Sequence, residues 1–271
     1  MKLGLSSYTF GWAVGGRGQE PARPLDEHGL LDKCREHGLS LLQIGDNLPL
    51  HTFDETRLSR LAERAAREGI HLEVGARRLT QERVEQYIAI ARKLNAKLIR
   101  FVIDDADYHP EPEYVSQVLQ KCAPLLDTLL LGIENHDRFT AATLREILES
   151  VGSPRIGVCL DTANSLGAGE GLETVLRELG PLSVNLHIKD FHIARVPHLM
   201  GFSVEGRAAG HGFLDVPSVM KSFAHFNRCQ TAVLELWTPP EPTLEATITK
   251  EAEWAGQSLS YLKPLFSEPR P

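Results

Sequence analysis

Eight short apolar runs of β-type composition recur along the chain, and the segments between them repeat their apolar residues with helical spacing. The runs cover residues 2 to 8, 40 to 45, 70 to 76, 97 to 103, 129 to 135, 155 to 161, 182 to 188 and 231 to 237. Between them lie the stripes Val84, Ile88, Ala91, Leu94; Val115, Val118, Cys122, Leu125; Leu144, Ile147, Leu148, Val151; and Leu172, Val175, Leu176, Leu179. Each stripe has the three-and-four spacing of one buried helix face. A last helix is expected to bury Ala252, Ala255, Leu259 and Leu262. Strand followed by helix, repeated, implies parallel strands, because successive parallel strands need a long crossover rather than a tight turn. Eight such units predict an α/β fold of one domain over residues 1–271, a closed (β/α)8 TIM barrel, and the length suits it.

Four consecutive runs end in acidic or imidazole residues: Glu134 in LLLGIEN, Asp161 in RIGVCLD, His187 in LSVNLHI and Glu235 in TAVLELW. Side chains two apart on a strand share a face, so Asn185, His187 and Lys189 lie opposite Val184, Leu186 and Ile188. The same count sets small residues, Gly132 and Cys159, beneath Glu134 and Asp161. In such a barrel chemistry collects at the carboxyl ends of the strands, and neighbouring strands run ~4.8 Å apart. The four residues are therefore expected to converge. Three carboxylates and one imidazole form an oxygen and nitrogen shell suited to a divalent ion, which points to an enzyme.

Two connections are longer than a compact fold needs, residues 9 to 24 and 189 to 214, and both follow strands, so both are expected to overhang the active face. The second holds His192, Arg195, His198, Arg207 and His211 and reads as a substrate lid, with Arg195, Arg207 and His211 as candidate contacts. Lys189, directly after the candidate ligand strand, and Asn164 are further candidates. Arg100 lies inside the fourth run, where a basic residue is paired or functional; it is a candidate substrate contact, with Glu73 as a possible ion-pair partner.

A formal charge of −7 argues against a phosphate-backbone binder, so no nucleic-acid partner is expected. No run approaches the ~20 apolar residues of a membrane span. Cys34, Cys122, Cys159 and Cys229 are scattered, and the opening MKLGLSSYTF has no long apolar leader, which predicts a reduced, cytoplasmic, soluble chain. The expected partner is a small sugar, and the composition is compatible with a homo-oligomer.

The segments IGVCLDTANS, LHIKDF, LGIENH and VLELW, with the opening LGLSSYTFGWAVG and the glycine-rich GHGFLD ending at Asp215, resemble the xylose-isomerase-like TIM-barrel superfamily in its sugar phosphate isomerase/epimerase branch. The likeness spans nearly the whole chain. It implies a metal-dependent sugar or sugar-derivative isomerase or epimerase with one divalent ion, manganese foremost and magnesium, cobalt or zinc as others, on Glu134, Asp161, His187 and Glu235. It also implies that Glu134 and Glu235 move the proton beside a carbonyl through an enediolate. One departure is Asn164 in DTAN, where ketose 3-epimerases commonly and related apurinic-site endonucleases regularly carry histidine; an amide reaches a sugar hydroxyl but binds zinc poorly. Three alternatives stand beside this reading: an apurinic-site endonuclease-like zinc phosphodiesterase, a keto-glycoside lyase on the same barrel, and a catalytically silent sugar-binding barrel.

Overall fold

The structure, a computed structural model, describes residues 1–15, 18, 20–198 and 200–267; Gly16, Arg17 and Gln19 of the first long connection, Leu199 of the second, and residues 268–271 lie outside the described residues. Ten strands form: β1 (Lys2–Ser6), β2 (Leu41–Ile44), β3 (His71–Arg77), β4 (Leu98–Val102), β5 (Leu130–Glu134), β6 (Ile156–Asp161), β7 (Ser183–Ile188), β8 (Asp190–Arg195), β9 (Phe202–Arg207) and β10 (Thr231–Leu234). β1 to β7 and β10 close one barrel in chain order, every neighbouring pair parallel, and these are the eight expected runs, seven with trimmed ends and β3 shifted one residue onward. The helices are α1 (Gly11–Val14), α2 (Glu27–Glu36), α3 (Glu55–Glu68), α4 (Gln81–Lys93), α5 (Pro112–Cys122), α6 (Ala141–Val151), α7 (Leu172–Leu179), α8 (Val216–Phe223) and α9 (Leu244–Ser267). No helix among the described residues is long and apolar enough to cross a membrane.

Local chemistry sets the helix ends. Asp54, Thr80 and Thr140 each accept the N–H three residues on, satisfying a donor that the first turn leaves open. The stripes then bury themselves against the outer faces of the strands: Val84, Ile88, Ala91, Val115, Val118, Leu144 and Ile147 join Val74, Ile99, Phe101, Leu131, Ile133 and Leu160 in one core. Two expected members leave it. Leu125 is 40% exposed, because the helix tightens into a 3-10 turn over Ala123–Leu125 that carries Pro124 and turns the side chain outward. Ala252 is exposed because α9 turns Glu251 inward instead, where its carboxylate accepts the N–H groups of Trp12 (3.0 Å) and Ala13 (3.1 Å).

The barrel lumen is unusual for its fold. Branched apolar residues usually fill it, yet Gln43, Glu73, Arg100, Glu134, Asp161, Asn185 and His187 are all buried here. Such a layer persists only if its groups satisfy one another.

The connection expected as a loop over 189 to 214 is instead built around an antiparallel hairpin, β8 with β9, paired from Asp190 with Arg207 to Arg195 with Phe202. Its length suggested a lid without its own sheet, but DFHIAR and FSVEGR both alternate with the period of a strand. Buried Asp190 pins its base. Oδ1 accepts the N–H groups of Phe191 (2.8 Å) and Leu214 (3.0 Å), and Oδ2 those of Gly210 and Gly212 (2.9 Å each). Gly212 admits this approach, since a Cβ there would lie 2.2 Å from Asp190 Oδ1.

Removing that carboxylate strands two buried donors, at about 1–3 kcal/mol each. Asp190→Ala is therefore expected to lower the free energy of urea unfolding by about 2–5 kcal/mol. A loss below about 0.5 kcal/mol would show that the hairpin is held by other contacts.

Candidate active site

His187, on β7, is fully buried. Its Nε2 lies 2.8 Å from Gln43 Oε1. Its Nδ1 has no hydrogen-bond partner among the described residues, yet it sits 3.3 Å from Glu235 Oε1, 3.6 Å from Glu134 Oε2 and 3.9 Å from Asp161 Oδ2. Each carboxylate is anchored from behind. Asp161 Oδ1 accepts the N–H groups of Ala163 and Asn164 at 2.8 Å each. Glu134 Oε1 accepts from Asn164 Nδ2 (2.7 Å), and Glu235 Oε1 from Ser6 Oγ (2.9 Å). Asp161 Oδ2, like the imidazole nitrogen, is buried without a hydrogen bond.

Three carboxylates closing on one imidazole nitrogen repel one another, and an unsatisfied buried polar atom costs about 1–3 kcal/mol. A cation relieves both. Asp161, His187 and Glu235 bring ligand atoms within 4.8 Å of one another, and Glu134 joins them through the same nitrogen. These residues fit a divalent ion, and they are the four that strand position had nominated. Cys159 also adjoins His187, but burial pushes its thiol up, so it stays S–H and donates to Asn185 Oδ1 at 3.0 Å.

Positive charge balances the rest. Arg100, on β4, is sandwiched between Glu134, through Nε, and Asp46, through Nη1 at 2.5 Å. The partner expected for it, Glu73, is not used: that carboxylate faces Thr231, Gln43 and Asn185. Lys189 places Nζ 2.8 Å from Asp161 Oδ2, at an angle that makes an ion pair without a directed hydrogen bond, and 3.1 Å from Glu235 Oε2. Its ammonium also donates to Asn164 Oδ1 at 3.2 Å. Burial alone would lower the Lys189 ammonium; Asp161, Glu235 and Glu134 together hold it well above the usual lysine range.

Arg100, Glu134, Asn164, Lys189 and Glu235 line a cavity of about 540 Å³, with Tyr8, Arg77, Asp137, Val204 and Trp237 among its other walls. Arg100, Asn164 and Lys189 therefore lie at the cavity. Three sequence candidates do not. Arg195 is exposed and rests over the Phe202 ring, 5.0 Å away, because both occupy the outer end of the hairpin. Arg207 turns back onto Glu205 (3.3 Å) and the Gly206 carbonyl (2.8 Å), and His211 is exposed in the turn that Asp190 holds. Sequence alone does not single out Arg77, the last residue of β3 and so at a position like those of the candidate ligands, or Tyr8, which donates to Asp46 at 2.9 Å. Gln43, a polar residue inside an apolar run, was legible as lumen-facing by the same alternation.

A closed parallel barrel that gathers acidic and imidazole side chains at the carboxyl ends of its strands defines the class. Residues 28–265 match the xylose isomerase-like TIM barrel family, and the chain belongs to it. The chain is 30% identical over 264 residues, 97% of its length and 95% of the relative's, to the 3-oxo-isoapionate decarboxylase of Pectobacterium atrosepticum. Among solved structures, the D-psicose 3-epimerase of Clostridium cellulolyticum H10, determined with D-tagatose, superposes with a TM-score of 0.72 at 15% identity over 97% of each chain. A xylose isomerase-like TIM barrel protein of Mycobacterium smegmatis, determined in complex with magnesium, gives a TM-score of 0.70 at 12% identity over 96% of this chain and 97% of that one.

Titrated into metal-stripped protein, manganese is expected to bind at one ion per chain. At a free concentration near 100 Kd it should stabilise the fold by about 2.7 kcal/mol. That raises Tm by roughly 5–10 °C for a chain of this size. His187→Ala and Asp161→Asn should abolish the shift. Wild-type protein that neither takes up an ion nor changes Tm with manganese, magnesium, cobalt or zinc would exclude the centre.

Proposed function

We propose that this chain is a divalent-metal-dependent lyase that decarboxylates a 3-oxo sugar acid, reaching by loss of CO2 the enediolate that sugar isomerases reach by loss of a proton. The observation that carries this reading is the pairing of both candidate bases with cations, buried Arg100 and partly buried Lys189. Glu134 has Arg100 on one oxygen and Asn164 on the other; Glu235 has Ser6 on one and Lys189 on the other. A general base at carbon needs a carboxylate oxygen left over once the metal and the hydrogen-bond donors are served. Decarboxylation asks for no base at carbon. It needs positive charge where the enolate oxygen develops, and a cation for the substrate carboxylate.

Charge is compatible with the same choice. Glu134, Asp161, Glu235, Asp46 and Asp137 face Arg100, Lys189 and Arg77, two negative charges in excess. A divalent ion would cancel that excess and leave Lys189 and Arg77 on the cavity wall to meet an anionic substrate. The decarboxylase relative supports the same choice.

Glu134, Asp161, His187 and Glu235 would hold the ion, manganese by preference, and when bound it would polarise the substrate's carbonyl and adjacent hydroxyl oxygens. Lys189 binds the departing carboxylate at the cavity wall, and Trp237, 40% exposed, offers its face to the sugar's C–H side. The carbon–carbon bond breaks, its electron pair passes into the carbonyl, CO2 leaves, and a proton from water ends on the carbon. Asn164 and Arg100 hold Glu134 in place.

One observation favours a second reading, a ketose epimerase. Glu134 and Glu235 approach the same imidazole nitrogen from β5 and from the residue after β10, so they would flank a sugar bound above it. One would remove the proton beside the carbonyl and the other return it.

The two separate cleanly with a 3-oxo sugar acid labelled with ¹³C in its carboxyl group. Metal-loaded wild type is expected to release labelled CO2, and Lys189→Met to lose on the order of 10² or more in kcat/KM. If no CO2 appears but ketoses incorporate solvent deuterium beside the carbonyl, and Glu134→Gln or Glu235→Gln stops it, the epimerase reading replaces the lyase.

A further inference from the structure

Below the four ligand residues the lumen holds a second polar group that none of the proposed chemistry uses: Gln43 on β2, Glu73 on β3, Asn185 on β7 and Thr231 on β10. Gln43, Glu73 and Asn185 are buried, and together the four link strands from opposite sides of the barrel. We propose that Gln43, held in orientation by Glu73 and Asn185, is a positioning residue that locks His187 in the tautomer with its proton on Nε2 and so keeps Nδ1 free as the metal-binding lone pair. The inference rests on the metal centre and not on which reaction the site runs.

The orientation propagates upward from a fixed backbone atom. Asn185 Nδ2 donates to the Thr231 carbonyl (3.4 Å) and hydroxyl (2.8 Å), which leaves its Oδ1 facing Gln43. Gln43 Nε2 then donates to Asn185 Oδ1 (3.2 Å) and Glu73 Oε2 (3.0 Å). The only part of the amide left for His187 is its carbonyl oxygen, 2.8 Å from Nε2. An acceptor there demands a donor, so Nε2 carries the hydrogen; a proton on Nδ1 would instead set two lone pairs against each other. Turning the Gln43 amide over would press its oxygen against Asn185 Oδ1. The nearby Cys159 thiol has its own acceptor in Asn185 Oδ1, 3.0 Å away.

Glu73 completes the device. It pairs with no Lys or Arg among the described residues and is caged by Gln43, Asn185 and the Thr231 hydroxyl, which donates to its Oε1 at 2.7 Å. Ligand histidines commonly hand their second nitrogen to a carboxylate or a backbone carbonyl. Here a neutral amide intervenes between imidazole and acid, so the carboxylate orients the ligand without standing beside a centre already crowded with three others.

The first test needs no variant. In metal-free wild type with ¹⁵N-labelled histidine, at a pH where the ring is neutral, the His187 resonances, identified by their loss in His187→Gln, should report the Nε2–H tautomer. Gln43→Leu should shift them toward the Nδ1–H form and weaken manganese binding by roughly 10- to 100-fold. A wild-type Nδ1–H tautomer overturns the proposal, as does a folded Gln43→Leu protein that binds manganese like wild type. Should Gln43→Leu fail to fold, the wild-type tautomer decides. These readouts are independent of CO2 release, so their failure and that of the lyase reading are distinguishable.

Discussion

Three carboxylate oxygens lie within 3.9 Å of one buried imidazole nitrogen, and much of the interior can be read as the means of making that arrangement stand. Isolated charges in a dry interior are prohibitively costly, and like charges raise the cost. The structure answers with Arg100 and Lys189, each wedged between two acids, with a backbone cradle under Asp161, and with a donor set fitted to a divalent ion. None of these residues is dispensable in isolation. Taking one partner from a buried ion pair leaves the other uncompensated, which costs more than the pair contributes.

The fold makes the crowding tolerable because it is rigid where the charges are. The candidate ligand side chains stand on or directly after strands locked on both sides by parallel neighbours, and the apolar core that braces them lies outside the barrel, between strands and helices. The lumen is thereby free to be polar. A side chain on a strand end is held more closely than one on a loop, which is what a centre with ångström tolerances needs. The variable element is the hairpin of β8 and β9, which follows the His187 strand and contributes Val204 to the cavity. Exposed Ile193 and Phe202 share the hairpin face that carries Val204, and its base hangs from one aspartate.

The same site illustrates how closely related chemistries diverge. Stabilising an enediolate is common to isomerisation, epimerisation and decarboxylation; what differs is which bond feeds electrons into the carbonyl. That is decided by whether a free base or a cation stands at the reacting carbon. Here the hydrogen bond from Asn164 to Glu134 and the ammonium of Lys189 beside Asp161 shape the charge at the cavity wall.

The periodicity of the chain was enough to establish eight strands, their parallel sense and the convergence of Glu134, Asp161, His187 and Glu235, because strand alternation and barrel closure are local rules repeated eight times. The outward turn of Leu125 and the inward turn of Glu251 were not legible, since each answers a neighbour distant in sequence or a single proline. Nor was the fate of the basic residues in the long connection. A count of charges there reads as a lid reaching for substrate, whereas the antiparallel pairing turns Arg195 toward Phe202 and Arg207 toward Glu205. Conversely, the pairing of Arg100 with Asp46, of Lys189 with Glu235, and of Gln43 with His187 joins residues 54, 46 and 144 positions apart. Sequence alone determined which groups face the lumen, because that follows from the two-residue repeat of a strand. Which lumen groups touch was decided only by the closed barrel, because closure brings opposite strands within hydrogen-bonding reach and no local pattern encodes that distance.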